Sequence, residues 1–235
     1  VHPAHPLMAA LIDLVLGDEE AALHAGTVLV DPTDPGTLPR LMFMIDHGIR
    51  EGTTMTRLVS RKMQFVEIDA RGQARNGGAA PYLSYEVPTA GDKALVEQVL
   101  AEPWLKQDLS AIALDWASAH LVKEHFDEVL LQRSAVVKKT LAAVHERLTR
   151  EINHWSKRTN ELLAEVRAGK QPRVQPDNAR RRAEELKARL AGRTKELEAQ
   201  LQLSSNPPII AGCALILPQG LVSQARGAAP AADAD

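Results

Sequence analysis

The side chains that could hold a metal ion or carry out acid–base chemistry are scattered along the sequence. Glu151 and His154 have the i, i+3 spacing found in di-iron helical bundles, but such a site needs a second copy and further carboxylates. The sequence contains no second copy. His120 and His125 are five residues apart, which places them on different faces of an α-helix, unlike the i, i+4 pair of a zinc protease. We therefore expect no metal site in this chain.

Sequence motifs for phosphate binding and nucleophilic catalysis are also missing. There is no glycine-rich loop followed by Lys and Ser or Thr, no paired zinc motif and no Gly-x-Ser-x-Gly elbow. Cys213, the single cysteine, has no Cys or His partner at metal-site spacing, and we expect it to be a small buried hydrophobe. The chain alone is therefore expected to be no enzyme, to bind no cofactor and to hydrolyse no ATP.

The sequence shows neither a membrane-spanning run nor a basic-then-apolar signal segment, so we expect a cytoplasmic protein, and its charge is unevenly distributed. The chain has 235 residues and a net charge of −2. No apolar run approaches the roughly 20 residues that cross a bilayer, so we expect no membrane partner. Residues 133–199 contain 17 Lys and Arg but nine Asp and Glu, which gives this segment +8 and the remainder −10. Such a basic segment indicates a polyanionic partner, and the alternative is a solvated helix surface that favours Arg.

The first hundred residues predict a helix, several strands and a second helix. Leucines at helical spacing after Pro6 predict a helix from about 6 to 16. A short helix is expected from about 92 to 101. Between them, short apolar or alternating runs bounded by Gly, Pro and Asp predict strands at 26–32, 40–48 and 62–73, the last with a hairpin turn at Asp-Ala-Arg-Gly.

Two long apolar stripes follow. The chain has no Pro or Gly from Leu109 to Val166, and one stripe has three-four spacing with a gap at Thr159: Val137, Leu141, Val144, Leu148, Ile152, Trp155, Leu162 and Val166. After a turn with Gly and Pro, the second stripe consists of Ala183, Leu186, Leu190, Leu197 and Leu201. Two such helices joined by a short turn predict an antiparallel coiled-coil hairpin.

The Pro-bounded run IIAGCALILP at 209–218 predicts a strand that completes the sheet of residues 26–68. Cys213, Leu215 and Leu217 alternate with apolar neighbours, as expected for a strand covered on both faces. The predicted fold class is α+β: a small mixed β-sheet body with flanking helices and a long antiparallel coiled-coil helical hairpin inserted before the last strand. The predicted domains are a body (1–108), a helical arm (109–203), a returning strand (204–222) and a disordered tail (223–235).

Several stretches resemble the region after the motor in bacterial Swi/Snf-type helicases. Those similar to DISARM anti-phage helicases are TLAAVHERLTREINHWSKRTNELLAEVRAGK and NARRRAEELKARLAGRTKELEAQLQLSSNPPIIAGCALILPQGLV. Those similar to the Swi/Snf ATPase that recycles RNA polymerase are HPLMAALIDLVLG, HAGTVLVDP and LPRLMFMIDHGIREG. In such proteins the nucleotide-binding motifs lie in upstream RecA-like lobes. The resemblance implies an accessory region of a DNA-dependent ATPase, with ATP and Mg²⁺ in the absent motor and a defence-system or polymerase partner.

Two functional classes remain open. In the first, the body docks on the helicase lobes of the same polypeptide, and the basic arm contacts DNA phosphates without sequence preference. The candidate nucleic-acid-binding residues are Lys138 and Lys139 on the outgoing helix, Lys170 and Arg173 at the tip, and Arg180, Arg181 and Arg182 on the return. In the second, the arm is a protein-interaction lever or structural module without nucleic-acid contact, and its arginines are solvated or pair with Glu184 and Glu185.

Overall fold

The computed structural model describes residues 25–51 and 57–228, together with Leu7, Ala10 and Leu14 near the amino terminus. These three residues are helical, and the rest of the helix predicted from about 6 to 16 lies outside the described residues.

Six strands form one mixed sheet. They are β1 (Thr27–Asp31), β2 (Arg40–Glu51), β3 (Arg57–Asp69), β4 (Ala74–Asn76), β5 (Leu203–Ser205) and β6 (Ile209–Pro218). The strand order is β1-β6-β2-β3-β4, and β5 pairs with β2. β6 runs parallel to β1 and antiparallel to β2. This pairing confirms the prediction that Cys213, Leu215 and Leu217 belong to a strand that joins the sheet of residues 26–68.

Four helices accompany the sheet in the described part of the chain. They are α1 (Lys93–Leu100), α2 (residues 109–167), α3 (Pro176–Ala199) and α4 (Gln219–Ala228). α2 joins an α-helical stretch, Leu109–Ala117, through a π-helical turn, Ser118–Val122, to a second α-helical stretch, Lys123–Arg167. α4 includes residues 223–228, which the sequence assigned to a tail, and residues 229–235 lie outside the described residues.

The predicted arrangement of the helices is wrong. A coiled-coil hairpin was expected before the last strand, but one unbroken helix of 59 residues is present. Two strands, β5 and β6, follow the helical region. The first turns of α2 explain the error, because Leu109, Ala113, Ala117 and Leu121 are at most 3% exposed and belong to the core of the sheet. The helix therefore begins inside that core. The apolar periodicity had instead predicted that residue 109 begins a separate arm.

The described residues form two compact units. The sheet unit comprises residues 25–48, 61–124 and 206–228, and the helical unit comprises residues 49–51, 57–60 and 125–205. The buried positions of the helical unit include several from the two predicted stripes: Val137, Leu148, Leu162, Ala183, Leu186 and Leu197. The three-four spacing therefore identified residues that are removed from water.

Both faces of β6 are buried from Ala214 onward, whereas Ile209 at its start is exposed and Cys213, which the sequence predicted to be buried, is only partly buried. Leu215 and Leu217 belong to a large apolar cluster, whose other members include Phe43, Ile45, Val66, Ile68, Val99, Ala113 and Val222. Ala214 and Ile216 belong to a smaller cluster with Met42 and Phe65. Full burial of a large apolar side chain contributes about 1.5–3 kcal/mol relative to exposure. The absence of a polar face on β6 follows from this two-sided burial.

The turn between β3 and β4 has the predicted position. Asp69 Oδ1 accepts hydrogen bonds from the backbone N–H groups of Arg71 and Gln73, both at 2.9 Å. Gly72 has a φ of 79°, a conformation that residues with a Cβ rarely adopt. The aspartate and the glycine therefore account for the hairpin at Asp-Ala-Arg-Gly.

Candidate nucleic-acid interface

A tight turn ends α2 and starts the segment that leads to α3. Gly169 has a φ of 77°, and its N–H donates to Val166 O at 3.0 Å. The N–H of Lys170 donates to Glu165 O at 3.0 Å. These two bonds form the Schellman motif that commonly terminates helices. Pro176 then occupies the first turn of α3, where its missing N–H costs no hydrogen bond.

The turn concentrates positive charge. Residues 167–182, here named the basic turn, contain six Lys and Arg and one acid, Asp177, which gives a net charge of +5. All six cationic residues are exposed: Arg167, Lys170, Arg173, Arg180, Arg181 and Arg182. Five of the seven predicted nucleic-acid-binding residues therefore lie within one short segment, and Arg167 adds a sixth cation.

Lys138 and Lys139 do not belong to this cluster. Both are exposed on α2. They lie 28 or more residues before Arg167 on the same helix, which is a separation on the order of 40 Å at 1.5 Å per residue. A ligand at the basic turn must extend along the helix to reach them.

Most cations of the basic turn have no acidic partner in the part of the chain that the structure describes. Arg180 lies 3.5 Å from Asp177, and Arg182 lies 3.1 Å from Glu185. Within the described residues, no ion pair involves the other four, which are Arg167, Lys170, Arg173 and Arg181. Pairs between exposed side chains contribute only about 0–1 kcal/mol, so the two paired arginines are also available to a stronger anion.

The middle of α2 differs in this respect, because its cations are matched with acids. Arg150 lies 2.7 Å from Glu146, and Arg147 lies 3.1 Å from Glu151. Arg158 contacts two carboxylates, Glu161 at 3.2 Å and Glu165 at 3.5 Å. These three arginines each contact an acid, whereas four of the six cations of the basic turn contact none among the described residues.

The residues examined above as possible metal ligands contact other groups in the structure. Glu151 pairs with Arg147, and the ring of His154 lies edge-on to Trp155 at 5.6 Å. The Nδ1 atom of His120 is 2.9 Å from the carbonyl oxygen of Trp116. Among the described residues, no group of three or more His, Cys, Asp or Glu is placed to hold a metal ion. No described helix has both the length and the apolar character needed to span a membrane.

The sheet unit contains a buried charged cluster that sequence reasoning missed. The Arg40 guanidinium donates to Asp34 Oδ2 at 2.6 Å and to Asp31, and its Nε lies 3.1 Å from Glu67 Oε2. Burial acts to lower the pKa of Arg40. The hydrogen bond to Tyr85 and the nearby carboxylates outweigh this effect and raise the pKa overall. Burial also acts to raise the pKa of Asp31, yet its bonds from Thr33 and Arg40 lower it. Arg40 and Asp31 therefore both stay ionised.

A cavity of about 530 Å³ adjoins this cluster. Its charged lining residues are Asp34, Arg40, Asp69, Arg71 and Arg75. The three guanidinium groups are opposed by the two lining aspartates and by Glu67, which bonds Arg75 at 2.7 Å. Because the charges of both signs are balanced, this cavity does not favour a polyanion as the basic turn does.

Comparison with known proteins adds no family to this description. No protein-family model matches the sequence, and a search of curated proteins finds no match. The resemblance to Swi/Snf-type helicases therefore remains a prediction.

Proposed function

We propose that the chain is an accessory region of a Swi/Snf-type DNA-dependent ATPase and that its basic turn contacts nucleic-acid phosphates. The single observation that carries the proposal is the net charge of +5 over residues 167–182, on exposed side chains of which four have no acidic partner among the described residues. The docking of the chain on upstream helicase lobes, and the binding of ATP and Mg²⁺ by those lobes, rest on the sequence resemblance.

The chemistry of the basic turn suits the phosphate backbone rather than the bases. Lys and Arg that approach phosphates release condensed counterions, and this release drives binding of any sequence. Base-specific recognition needs side chains inserted in a groove at defined positions. Exposed cations on a turn between two helices provide charge without such a fixed arrangement, so sequence-independent binding is the expected mode.

A protein partner is the second candidate. Three apolar residues close to the turn are partly exposed: Leu163 at 40%, Val166 at 46% and Val174 at 42%. Such side chains favour a protein surface, because burying them releases water without any need for a polyanion. Binding through this apolar surface should depend weakly on salt, whereas phosphate contacts should weaken steeply as salt rises.

The proposal is tested with a variant that neutralises three unpaired cations. K170Q/R173Q/R181Q removes charge from the basic turn, and R147Q/R150Q/R158Q removes the same charge from cations already paired on α2. We expect the first variant to bind a random-sequence duplex at least tenfold more weakly than wild type in fluorescence anisotropy, and the second to bind within about threefold of wild type, because each phosphate contact contributes to the salt-dependent affinity.

Circular dichroism verifies that both variants keep their helices. Equal affinity of all three proteins, or a wild type that binds no duplex, would contradict the assignment of the basic turn. Normal binding by the basic-turn variant together with weak binding by the α2 variant would move the interface to the middle of α2.

A further inference from the structure

A serine and a buried histidine meet in the helical unit. Ser60 Oγ in β3 lies 2.7 Å from His125 Nε2 in α2. His125 is only 1% exposed, whereas Ser60 is partly exposed. A hydroxyl within hydrogen-bond reach of an imidazole is the arrangement that activates serine nucleophiles, because the ring can take the hydroxyl proton during attack.

Ser60 lines a cavity of about 390 Å³, but His125 does not. The cavity has four polar lining residues, Arg57, Ser60, Gln132 and Arg133, and four apolar ones, Leu58, Val59, Val129 and Val136. Ser60 therefore lies at the cavity, and its hydroxyl is within hydrogen-bond distance of the buried imidazole. The four aliphatic side chains provide a surface for a short apolar chain, and the volume is within the range of small-molecule sites.

Arg133 supplies a hydrogen-bond donor at the same cavity. Its Nη2 donates to Glu51 Oε2 at 2.9 Å, and this ion pair holds the guanidinium in place. No acceptor for Nη1 is found among the described residues. A fixed cationic donor beside a nucleophile can stabilise the negative charge that develops on a carbonyl oxygen during acyl transfer.

We propose that Ser60 is a nucleophile activated by His125 and that this cavity takes esters with a short apolar acyl chain. Ser60 Oγ attacks the ester carbonyl carbon, and its proton passes to His125 Nε2. The carbon–oxygen bond to the alcohol breaks, the departing alkoxide takes the proton from the imidazolium, and the acyl group stays on Ser60. A water molecule, deprotonated by His125, then attacks the acyl carbon, so that the carboxylic acid leaves and Ser60 regains its proton.

This inference is independent of nucleic-acid binding. The nearest cation of the basic turn, Arg167, lies 31 residues beyond Val136, the last cavity residue on α2, or on the order of 45 Å along the helix. Loss of duplex binding by the basic-turn variant and loss of serine reactivity by a Ser60 variant are therefore separate results.

The test is covalent labelling of the folded protein with a fluorescent alkyl fluorophosphonate. Attack by Ser60 Oγ on phosphorus breaks the phosphorus–fluorine bond, releases fluoride and adds the phosphonyl mass to the protein. We expect one adduct, mapped to Ser60 by peptide mass spectrometry and absent after unfolding in urea. S60A should remain unlabelled, and H125Q should react at least about 100-fold more slowly, as loss of a general base predicts. The exposed Ser204 provides the control variant S204A, which should label like wild type.

Turnover of p-nitrophenyl butyrate should follow the same order among the four proteins. A wild-type protein that takes no label, a label on another residue, or equal labelling of wild type and folded H125Q overturns the proposal. If H125Q does not fold, the proposal is tested by the wild-type protein alone: the adduct must map to Ser60 and must be absent after unfolding in urea.

Discussion

Arg226 in α4 binds the buried carboxylate of Asp92 through two hydrogen bonds. Its Nε donates to Oδ1 and its Nη2 to Oδ2, both at 2.8 Å. The Asp92 side chain is 1% exposed, and its Oδ2 also accepts from the backbone N–H of Thr89 at 2.8 Å. The carboxylate thus attaches α4 to the residues that precede α1, although 134 positions separate the two partners.

Replacing Asp92 should destabilise the sheet unit. D92N keeps the shape of the side chain but removes its charge, and one amide N–H₂ then faces the donors of Thr89 and Arg226. Loss of a buried, multiply bonded acceptor should lower the free energy of unfolding by about 1–3 kcal/mol. Urea unfolding at neutral pH measures this change. D115N, at an exposed aspartate of α2, is the control and should change stability by less than about 0.5 kcal/mol.

The same pair predicts a dependence of stability on pH. The Arg226 hydrogen bonds hold the pKa of Asp92 well below its usual range, although burial acts in the opposite direction. Because the folded pKa lies below the unfolded value, the stabilisation is fully present above about pH 4 and is lost as the pH falls further. The stability difference between wild type and D92N should therefore shrink below that pH. A difference that stays constant from neutral to acidic pH would count against this role.

The two arginines of neighbouring strands should differ in their effect on stability. R40M leaves the buried carboxylates of Asp31 and Glu67 without their shared cation, which should cost about 3–5 kcal/mol. Arg61 pairs with Asp46, but its side chain is 66% exposed, so R61M should cost about 1 kcal/mol or less. Chemical unfolding of both variants measures the contrast. Equal decreases in the free energy of unfolding for R40M and R61M would show that burial of the Arg40 cluster does not increase its contribution to stability.

Two glycines should respond to alanine with opposite signs. A Cβ at Gly220 would lie 2.1 Å from the carbonyl oxygen of Pro35, so G220A forces the backbone apart and should cost about 1–3 kcal/mol. A Cβ at Gly192, in the middle of α3, meets no atom within 4 Å. G192A should stabilise the protein by about 0.5–1 kcal/mol, because alanine loses less entropy in a helix. Thermal unfolding of the two variants would reveal any departure from this order.

The sequence predicted those elements whose patterns are local. The Pro-bounded apolar run at 209–218 marked β6, and turn residues bounded β1, β2 and β3 to within a few positions. β4 and β5 have only three residues each, too few for a periodic signal. Thr159 was taken as a gap in the stripe, yet it is 7% exposed and its hydroxyl bonds the carbonyl oxygen of Trp155 at 2.8 Å. A local bond thus lets a polar residue occupy a buried helix position.

The parts of the sites that depend on distant residues could not be predicted. The cations of the basic turn are close in sequence, so composition alone marked them. Ser60 and His125 are 65 positions apart, and Arg40 and Glu67 are 27 apart. These contacts depend on how strands and helices pack, which local sequence patterns do not reveal. The π-helical turn Ser118–Val122, seven to three residues before His125, has no sequence signature either.

The most direct test of phosphate binding at the basic turn is the salt dependence of duplex binding by wild type, K170Q/R173Q/R181Q and R147Q/R150Q/R158Q. Dissociation constants for a random-sequence duplex are measured from about 50 to 200 mM salt, and log affinity is plotted against log salt concentration. If each unpaired cation meets one phosphate, the slope of the basic-turn variant should be shallower than that of wild type by roughly 0.9 per lost contact, or up to about 2.7. The α2 variant should keep the wild-type slope. Identical slopes for wild type and the basic-turn variant would contradict phosphate binding at residues 167–182.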